Sequence, residues 1–519
     1  MNNLSLDNFS RRKAIKILAI GNYVTLGFDI IQGFLFVPLY LTFLGNNLYG
    51  LWLGTGGIIN ALAFLDMGTA TLTIQRISTE YGRGNMQGIG LYFITGIAIH
   101  LVLMTFLLVG GIVLSFSLRS FFVLDNNEYD LLLKASCGAV CALVITLLNN
   151  TIEGTLNALQ KPLFGKITQV LGALFGIILT YLMLVWGYSV MSISAGLLVR
   201  AVINTLPNVI YLIMIFRKNG ISFIRFNLGV VKDYLRLTPS IFLSKIGGAL
   251  VGNIEPTLIT IFVSPQVSVY YSITSKAGML FRMILDRIGS ILLPPLSHLY
   301  SNEGLIKLKK ILLNFFNIAF PAVIAGYAIF FLLNKFFVNI WVGPQNYLGD
   351  VFTLLLAFSL LLGFLSSIMS YLFTILGDIK YPSYYIFLES ILKLLGLYLL
   401  LKLLGIYGLP IAIILTSIVF VSIYARRWNK KLELTRDERS SLNLSILKNI
   451  LLVAVLTILG CIILKYFKIS TFEGFLLMLM IVSSLFLIVI LSGNKLIFHQ
   501  LKVIAVEKIN YIKNKRFKS

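Results

Sequence analysis

The chain is poor in the side chains that carry covalent and redox chemistry. Three cysteines and three histidines in 519 residues leave little for thiol catalysis, metal ligation or a disulfide framework. Cys137, Cys141 and Cys461 show no ligand or disulfide spacing, and His100, His298 and His499 are scattered. Charge of either sign is scarce, at 12% of residues against about 25% in soluble domains, which excludes a soluble multidomain protein. GKIT at 165–168 lacks the upstream glycine of a nucleotide-binding loop, so ATP is not a direct energy source within the chain. Neither a zinc-hydrolase motif nor a nucleophile elbow occurs. The expectation is a protein with no cofactor, no metal, no catalytic residues and no enzymatic activity.

What the chain has in quantity is apolar length. Hydrophobic residues make up 58%, and a membrane-crossing helix needs about 20 of them in a row. Fourteen segments qualify, from 17–43 through to 472–493. Lys and Arg are not spread evenly between them. Of 43 basic residues, 31 fall in alternate connections and the termini, and only Arg119, Lys335, Lys402, Lys465 and Lys468 fall in the others. Cytoplasmic loops carry such an excess, which predicts both ends of the chain in the cytoplasm. The net charge of +23 thus reports topology and anionic lipid rather than nucleic acid. Arg11, Arg12, Lys13 and Lys16 precede the first apolar stretch, which is too long for a cleaved signal and reads as a first helix.

The longest inner connections, near 216–236 and 426–446, set the expected boundaries. They predict an all-α polytopic membrane protein with about 14 transmembrane helices. Two six-helix lobes, 1–216 and 217–431, are followed by a helix pair and a basic tail at 432–519. Six is even, so the lobes run in the same direction, as parallel repeats do. Pro38 before LYLTFLGNNLYGLW and Pro256 before TLITIFVSPQVSVYYSI echo one another. Pro207, Pro294, Pro295 and Pro321 mark further positions where a span can bend.

Three stretches carry a family likeness. The first is FLGNNLYGLW with LDMG at 65–68 and IQRISTEYGRGN at 74–85. The second is VGNIEPTLITIFVSPQVSVYYSITSK at 251–276. The third is WVGPQNY at 341–347 with LGDIKYPSYY at 376–385. Together they resemble the polysaccharide-exporter branch, with its Wzx-type O-antigen flippases, of the superfamily that includes multidrug and toxic-compound extrusion transporters and lipid II flippases. The resemblance implies a flippase of the bacterial cytoplasmic (inner) membrane. Its substrate would be an undecaprenyl-diphosphate-linked oligosaccharide, moved from inner to outer leaflet by alternating access. It also implies contact with membrane lipid, a coupling ion (proton or sodium) and other glycan-assembly membrane proteins.

Ionisable residues inside spans are costly and mark function by default. Asp29, Asp66, Glu153 and Arg200 lie in the first six helices. Lys245, Glu255, Lys276, Arg282, Asp286, Arg287, Glu389 and Lys393 lie in the second six, where bases outnumber acids. Arg and Lys can replace the lost hydration of a diphosphate, which makes Arg200, Arg282 and Arg287 the first headgroup candidates, then Lys245 and Lys393. Structural readings stand beside these. Arg282 with Asp286, and Glu389 with Lys393, are spaced to neutralise each other along one helix, and Lys245 is placed to snorkel. Asp29, the single acid near the middle of the first helix, is the coupling candidate or a partner for Arg200. Asp66 and Glu153 sit near inner helix ends and read as gate or packing residues. A lipid II flippase or a multidrug/cation exporter are the nearest alternatives; a membrane glycan polymerase or ligase is disfavoured by the short outer connections.

Overall fold

A computed structural model describes residues 11–221, 228–234, 236, 242, 246–247, 252, 254–378, 380–467 and 471–493. Among these residues there are helices and no strands. We number the long elements α1 (Arg11–Ala61), α2 (Thr69–Gly82), α3 (Met86–Phe116), α4 (Leu118–Phe121), α5 (Asn126–Ala158), α6 (Pro162–Val185) and α7 (Met191–Lys218). They continue with α8 (Glu255–Phe262), α9 (Pro265–Val342), α10 (Asp350–Ile375), α11 (Lys380–Leu404), α12 (Gly408–Lys431), α13 (Arg436–Leu464) and α14 (Phe472–Gly493).

Local chemistry sets where these helices begin. The Asn85 side chain accepts from the Gly88 N–H to start α3. Reciprocal side chain–backbone bonds between Asp125 and Glu128 cap α5, and those between Thr435 and Glu438 cap α13. Proline at the first turn starts α6 and α8, where its missing N–H costs nothing. Gly45 and Gly304, at φ 71° and 77°, interrupt α1 and α9. A side chain rarely adopts that conformation, so glycine divides each run into two helical segments.

Nine helices among the described residues are long and apolar enough to cross a membrane, and three of these runs have 48, 51 and 67 residues. At 1.5 Å per residue even the shortest of the three reaches about 70 Å, against a hydrocarbon core of about 30 Å. The number of passes depends on how these runs divide. The chain is a multi-pass membrane protein. Phe106, Leu206 and Met214 are well exposed on helices whose opposite faces bury Leu107, Asn208 and Leu212, the pattern of a bundle whose solvent is lipid.

The chain forms two compact units. The first is Met1–Val269 with Ser383–Gly408, and the second is Tyr270–Pro382 with Leu409–Ser519. These cuts differ from the loop-based boundaries at 216 and 431, and side chains explain the transfer of α8 and most of α11 to the first unit. Thr257 and Thr260 on α8 donate to the carbonyls of Gly54 and Gly50 on α1, at 2.6 and 3.3 Å. Lys393 on α11 then pairs with Glu255 on α8. In the second unit, Phe320, Ile324 and Leu332 of α9 pack with Val453 of α13 and Met478 and Phe486 of α14. The last helix pair is thus held by an apolar seam to the second half of α9.

Candidate functional site

Within the first unit, α6 and α7 approach closely because both present glycine. A Cβ on Gly176 would stand 2.8 Å from the Gly196 carbonyl oxygen, and one on Gly172 would stand 2.8 Å from that of Arg200. Small residues at this spacing let helix backbones meet in a membrane. The contact fixes Arg200 on α7 near α1, where its Nη2 donates to Oδ1 of Asp29 at 2.8 Å. Neither side chain is sealed off: Arg200 is 33% and Asp29 49% exposed. Beside them is a cleft lined by Gln32, Tyr40, Gly176, Thr180, Gly196 and Arg200. The first-helix acid and the sixth-span arginine are therefore partners, and Arg200 also lines that cleft.

Nearer one end of the same bundle, Lys166 on α6 donates to Glu153 on α5 at 2.8 Å, and Gln169 bridges both partners at 2.9 and 2.7 Å. The Glu153 and Lys166 side chains are 8% and 10% exposed. The stem of Lys166 rests on Gly21 of α1, where a Cβ would stand 2.6 Å from its Cγ. Between this pair and Arg200 runs a chain of amides. Asn208 donates to Asn149 at 3.2 Å, and Thr168 reaches Asn204 and Asn208 at 3.1 and 3.2 Å. Glu153 is thus tied into packing by its surroundings. Lys166, counted by sequence as an inner-loop charge, points into the bundle.

Asp66 lies in the joint between the end of α1 and the start of α2. The 3-10 turn Leu62–Asp66 interrupts the run, and α2 continues from Thr69 to Gly82. Asp66 Oδ1 lies 3.4 Å from Nε2 of His100, a residue the sequence offered only as a scattered histidine.

In the second unit, Arg282 on α9 is engaged on most of its donors. Its Nε donates to Asp286 at 2.9 Å, Nη1 to the Leu360 carbonyl at 3.2 Å, and Nη2 to the Gly363 carbonyl and the Ser367 hydroxyl at 2.9 and 2.6 Å. The helical pairing with Asp286 is present, and the remaining bonds rivet α9 to α10. Arg287, one turn on, is exposed. Lys393 pairs with Glu255 at 3.1 Å, with both side chains about nine-tenths buried, so its salt bridge crosses to α8. Lys245 lies outside the described residues.

At the rim of the second unit, the loop acid Asp378 accepts from Arg427 at 2.8 Å, and the Arg427 guanidinium stacks 3.4 Å from the Tyr381 ring. Burial pushes the Asp378 carboxyl up, but the Arg427 hydrogen bond and the charges of Arg427 and Lys431 outweigh it and hold the group below its ordinary range. Among the described residues, no three His, Cys, Asp or Glu side chains gather as a metal cage.

Long apolar helices in two bundles, each crossed by a few ion pairs, define the class: a polytopic helical membrane protein. Residues 54–182 match the MatE family. The structure is similar to the lipid II flippase MurJ in an inward closed conformation, with TM-score 0.67 and 14% identity, covering 94% of this chain and 100% of that one. It is similar to an inward-facing multidrug resistance MATE transporter of the MOP superfamily, at 0.58 and 16%, covering 81% and 99%. A MOP superfamily transporter from Pyrococcus furiosus, described for the reverse polarity of its binding pocket, matches at 0.57 and 17%, covering 82% and 97%. No curated protein matches the chain.

Proposed function

We propose that this chain is a flippase that moves an undecaprenyl-diphosphate-linked oligosaccharide from the inner to the outer leaflet of a bacterial cytoplasmic membrane. The observation that carries the reading is the Asp29–Arg200 pair, an ion pair with both members partly exposed and Arg200 lining a small cleft within a lipid-facing bundle. A diphosphate offers Arg200 the same bidentate acceptor geometry as a carboxylate, with more charge. The headgroup therefore competes with Asp29 for the guanidinium. Whenever it wins, Asp29 is left to take up a proton or sodium ion, which links substrate binding to ion binding at one place.

The length of the shared fold supports a lipid-linked substrate. The likeness to MurJ spans 94% of the chain, whereas the MATE transporter spans 81%. Of the cations expected at the headgroup, the partly exposed Arg200 has room to serve; Arg282 and Lys393 have more to do with holding helices together. Alternating access fits a fold solved in both inward- and outward-facing forms in MATE transporters. Mass spectrometry of lipid-linked glycans with leaflet accessibility, in cells lacking this protein, tests the reading. One undecaprenyl-diphosphate-linked oligosaccharide should accumulate on the cytoplasmic side. If that lipid is lipid II, the substrate is corrected. An unchanged profile with altered sensitivity to cationic toxins would replace the reading with a drug exporter.

A further inference from the structure

The break between α1 and α2 carries a carboxyl–imidazole pair that the headgroup chemistry does not use. Asp66 closes the turn Leu62–Asp66 and is 4% exposed. Its Oδ1 lies 3.4 Å from Nε2 of His100, which is fully buried midway along α3. On the other edge of the ring, Nδ1 lies 2.6 Å from Oγ1 of Thr151 on α5. The next two residues, Met67 and Gly68, turn through φ 50° and 79°. A methionine rarely adopts that conformation unless its surroundings hold it there. Two helices, α3 and α5, and a strained joint therefore converge on one imidazole.

We propose that His100 and Asp66 form a proton-binding site, separate from the Asp29–Arg200 pair, whose occupancy sets the geometry of the α1–α2 joint during transport. The inference rests on the transporter reading above. With the ring neutral, one nitrogen carries a hydrogen and the other presents a lone pair. A proton arriving from water on one side of the membrane adds to that lone pair. Both edges then donate, Nδ1–H to Thr151 and Nε2–H to the Asp66 carboxylate, and the pair becomes imidazolium–carboxylate. Departure of the proton to water on the other side restores the neutral ring.

The mechanical link is short. The Thr69 hydroxyl, in the first turn of α2, donates to the Asp66 carbonyl at 2.9 Å and reaches Oδ1 at 3.4 Å. A carboxylate drawn toward His100 therefore pulls on the start of α2, across the two left-handed residues. Other ions on the packed elements are engaged elsewhere. On α5, Glu153 is held by Lys166 and Gln169. On α2, Glu80 is held by Arg83 and Asn85, while Arg76 lies over the Tyr92 ring. Tyr234 donates to Thr73. Arg119 on α4 donates to Asn126, at the far end of α3; Glu128 there bonds Asn47, and Lys134 bonds Asp130. On α1, Asp29 is taken by Arg200.

The test uses the full-length chain carrying His298→Asn and His499→Asn, so that His100 is the single histidine, in nanodiscs without transport substrate. Nitrogen NMR of the ring is followed between about pH 5 and about pH 8, together with a spin-label distance across the α1–α2 joint. The expected result is conversion of His100 to imidazolium with a change in the joint distance at the same pH, and displacement of that pH by Asp66→Asn. A ring that stays neutral in one tautomer, or titrates while the joint distance is unchanged, overturns the proposal. If the Asp66 variant does not insert, the two readouts on the single-histidine protein decide alone. Because no substrate is present, a wrong substrate assignment leaves these outcomes intact.

Discussion

Replacing Lys166 with Met should destabilise the first unit far more than replacing both members of its ion pair. In the native bundle Glu153 has two partners, the Lys166 ammonium at 2.8 Å and the Gln169 amide at 2.7 Å. Met keeps the stem packed on Gly21 but removes the countercharge from a nine-tenths buried carboxylate. Losing one member of a buried pair costs about 3–5 kcal/mol, and survival of the Gln169 bond places this case near about 3 kcal/mol. At roughly 2 °C per kcal/mol for a unit of this size, the melting temperature should fall by about 6 °C. The double variant Glu153→Gln, Lys166→Met carries no buried charge and keeps an acceptor for Gln169, so it should recover about 2 kcal/mol of the loss. Tryptophan fluorescence during heating in detergent micelles reads all three proteins. If Lys166→Met melts within a degree of the parent, or the double variant melts no higher than Lys166→Met, the pair is not the buried, coupled unit described here.

Further outcomes follow from the same geometry. Gly21→Ala should cost about 1–3 kcal/mol by pushing Lys166 off its seat, and should become neutral or stabilising when Lys166 is also Ala, as melting temperatures would show. Gly176→Val meets a backbone carbonyl rather than a movable side chain, so a loss above about 2 kcal/mol is expected, with weakened cysteine crosslinking between α6 and α7. Arg282→Lys puts its three donors on one nitrogen and cannot reproduce the four bonds that the guanidinium makes from three. It should destabilise by at least about 2 kcal/mol, and unchanged melting would free Arg282 for the headgroup. The Asp378 carboxyl is held below its ordinary range, so its stabilisation is complete above about pH 4 and fades as pH falls through the lowered value. A melting-temperature profile that drops less steeply on acidification in Asp378→Asn than in the parent would check this.

The all-helical membrane fold was legible because it rests on apolar length, a property of every segment alone. Helix starts were legible in part, since Asn85, Asp125 and Thr435 carry cap chemistry in sequence. The contacts that join α8 to α1 and α11 were not, because Glu255–Lys393 and the threonines of α8 act across 138 to 210 residues of chain. Asp29 and Arg200 were singled out as costly ions with their pairing as one open alternative, and the coordinates bring them to 2.8 Å. His100 was missed: one histidine in an apolar helix carries no signal until Asp66 and Thr151 arrive beside it. The amide chain Asn149, Asn204, Asn208 and Thr168 had a readable sign, polar residues one turn apart within apolar helices. So did the Gly172–Gly176 spacing.

The pairing of Asp29 with Arg200 has a consequence for biogenesis. The two residues are 171 positions apart, and ribosomes add about 5–20 residues per second. The first helix therefore leaves the translocon about 10 to 35 seconds before its counterion has been synthesised. An aspartate at the centre of an inserting helix costs about 3 kcal/mol on insertion scales, a debt the apolar residues around it must carry during that interval. Asp29 should accordingly make the nascent first helix a poor membrane resident on its own, retained at the insertion site until α7 emerges.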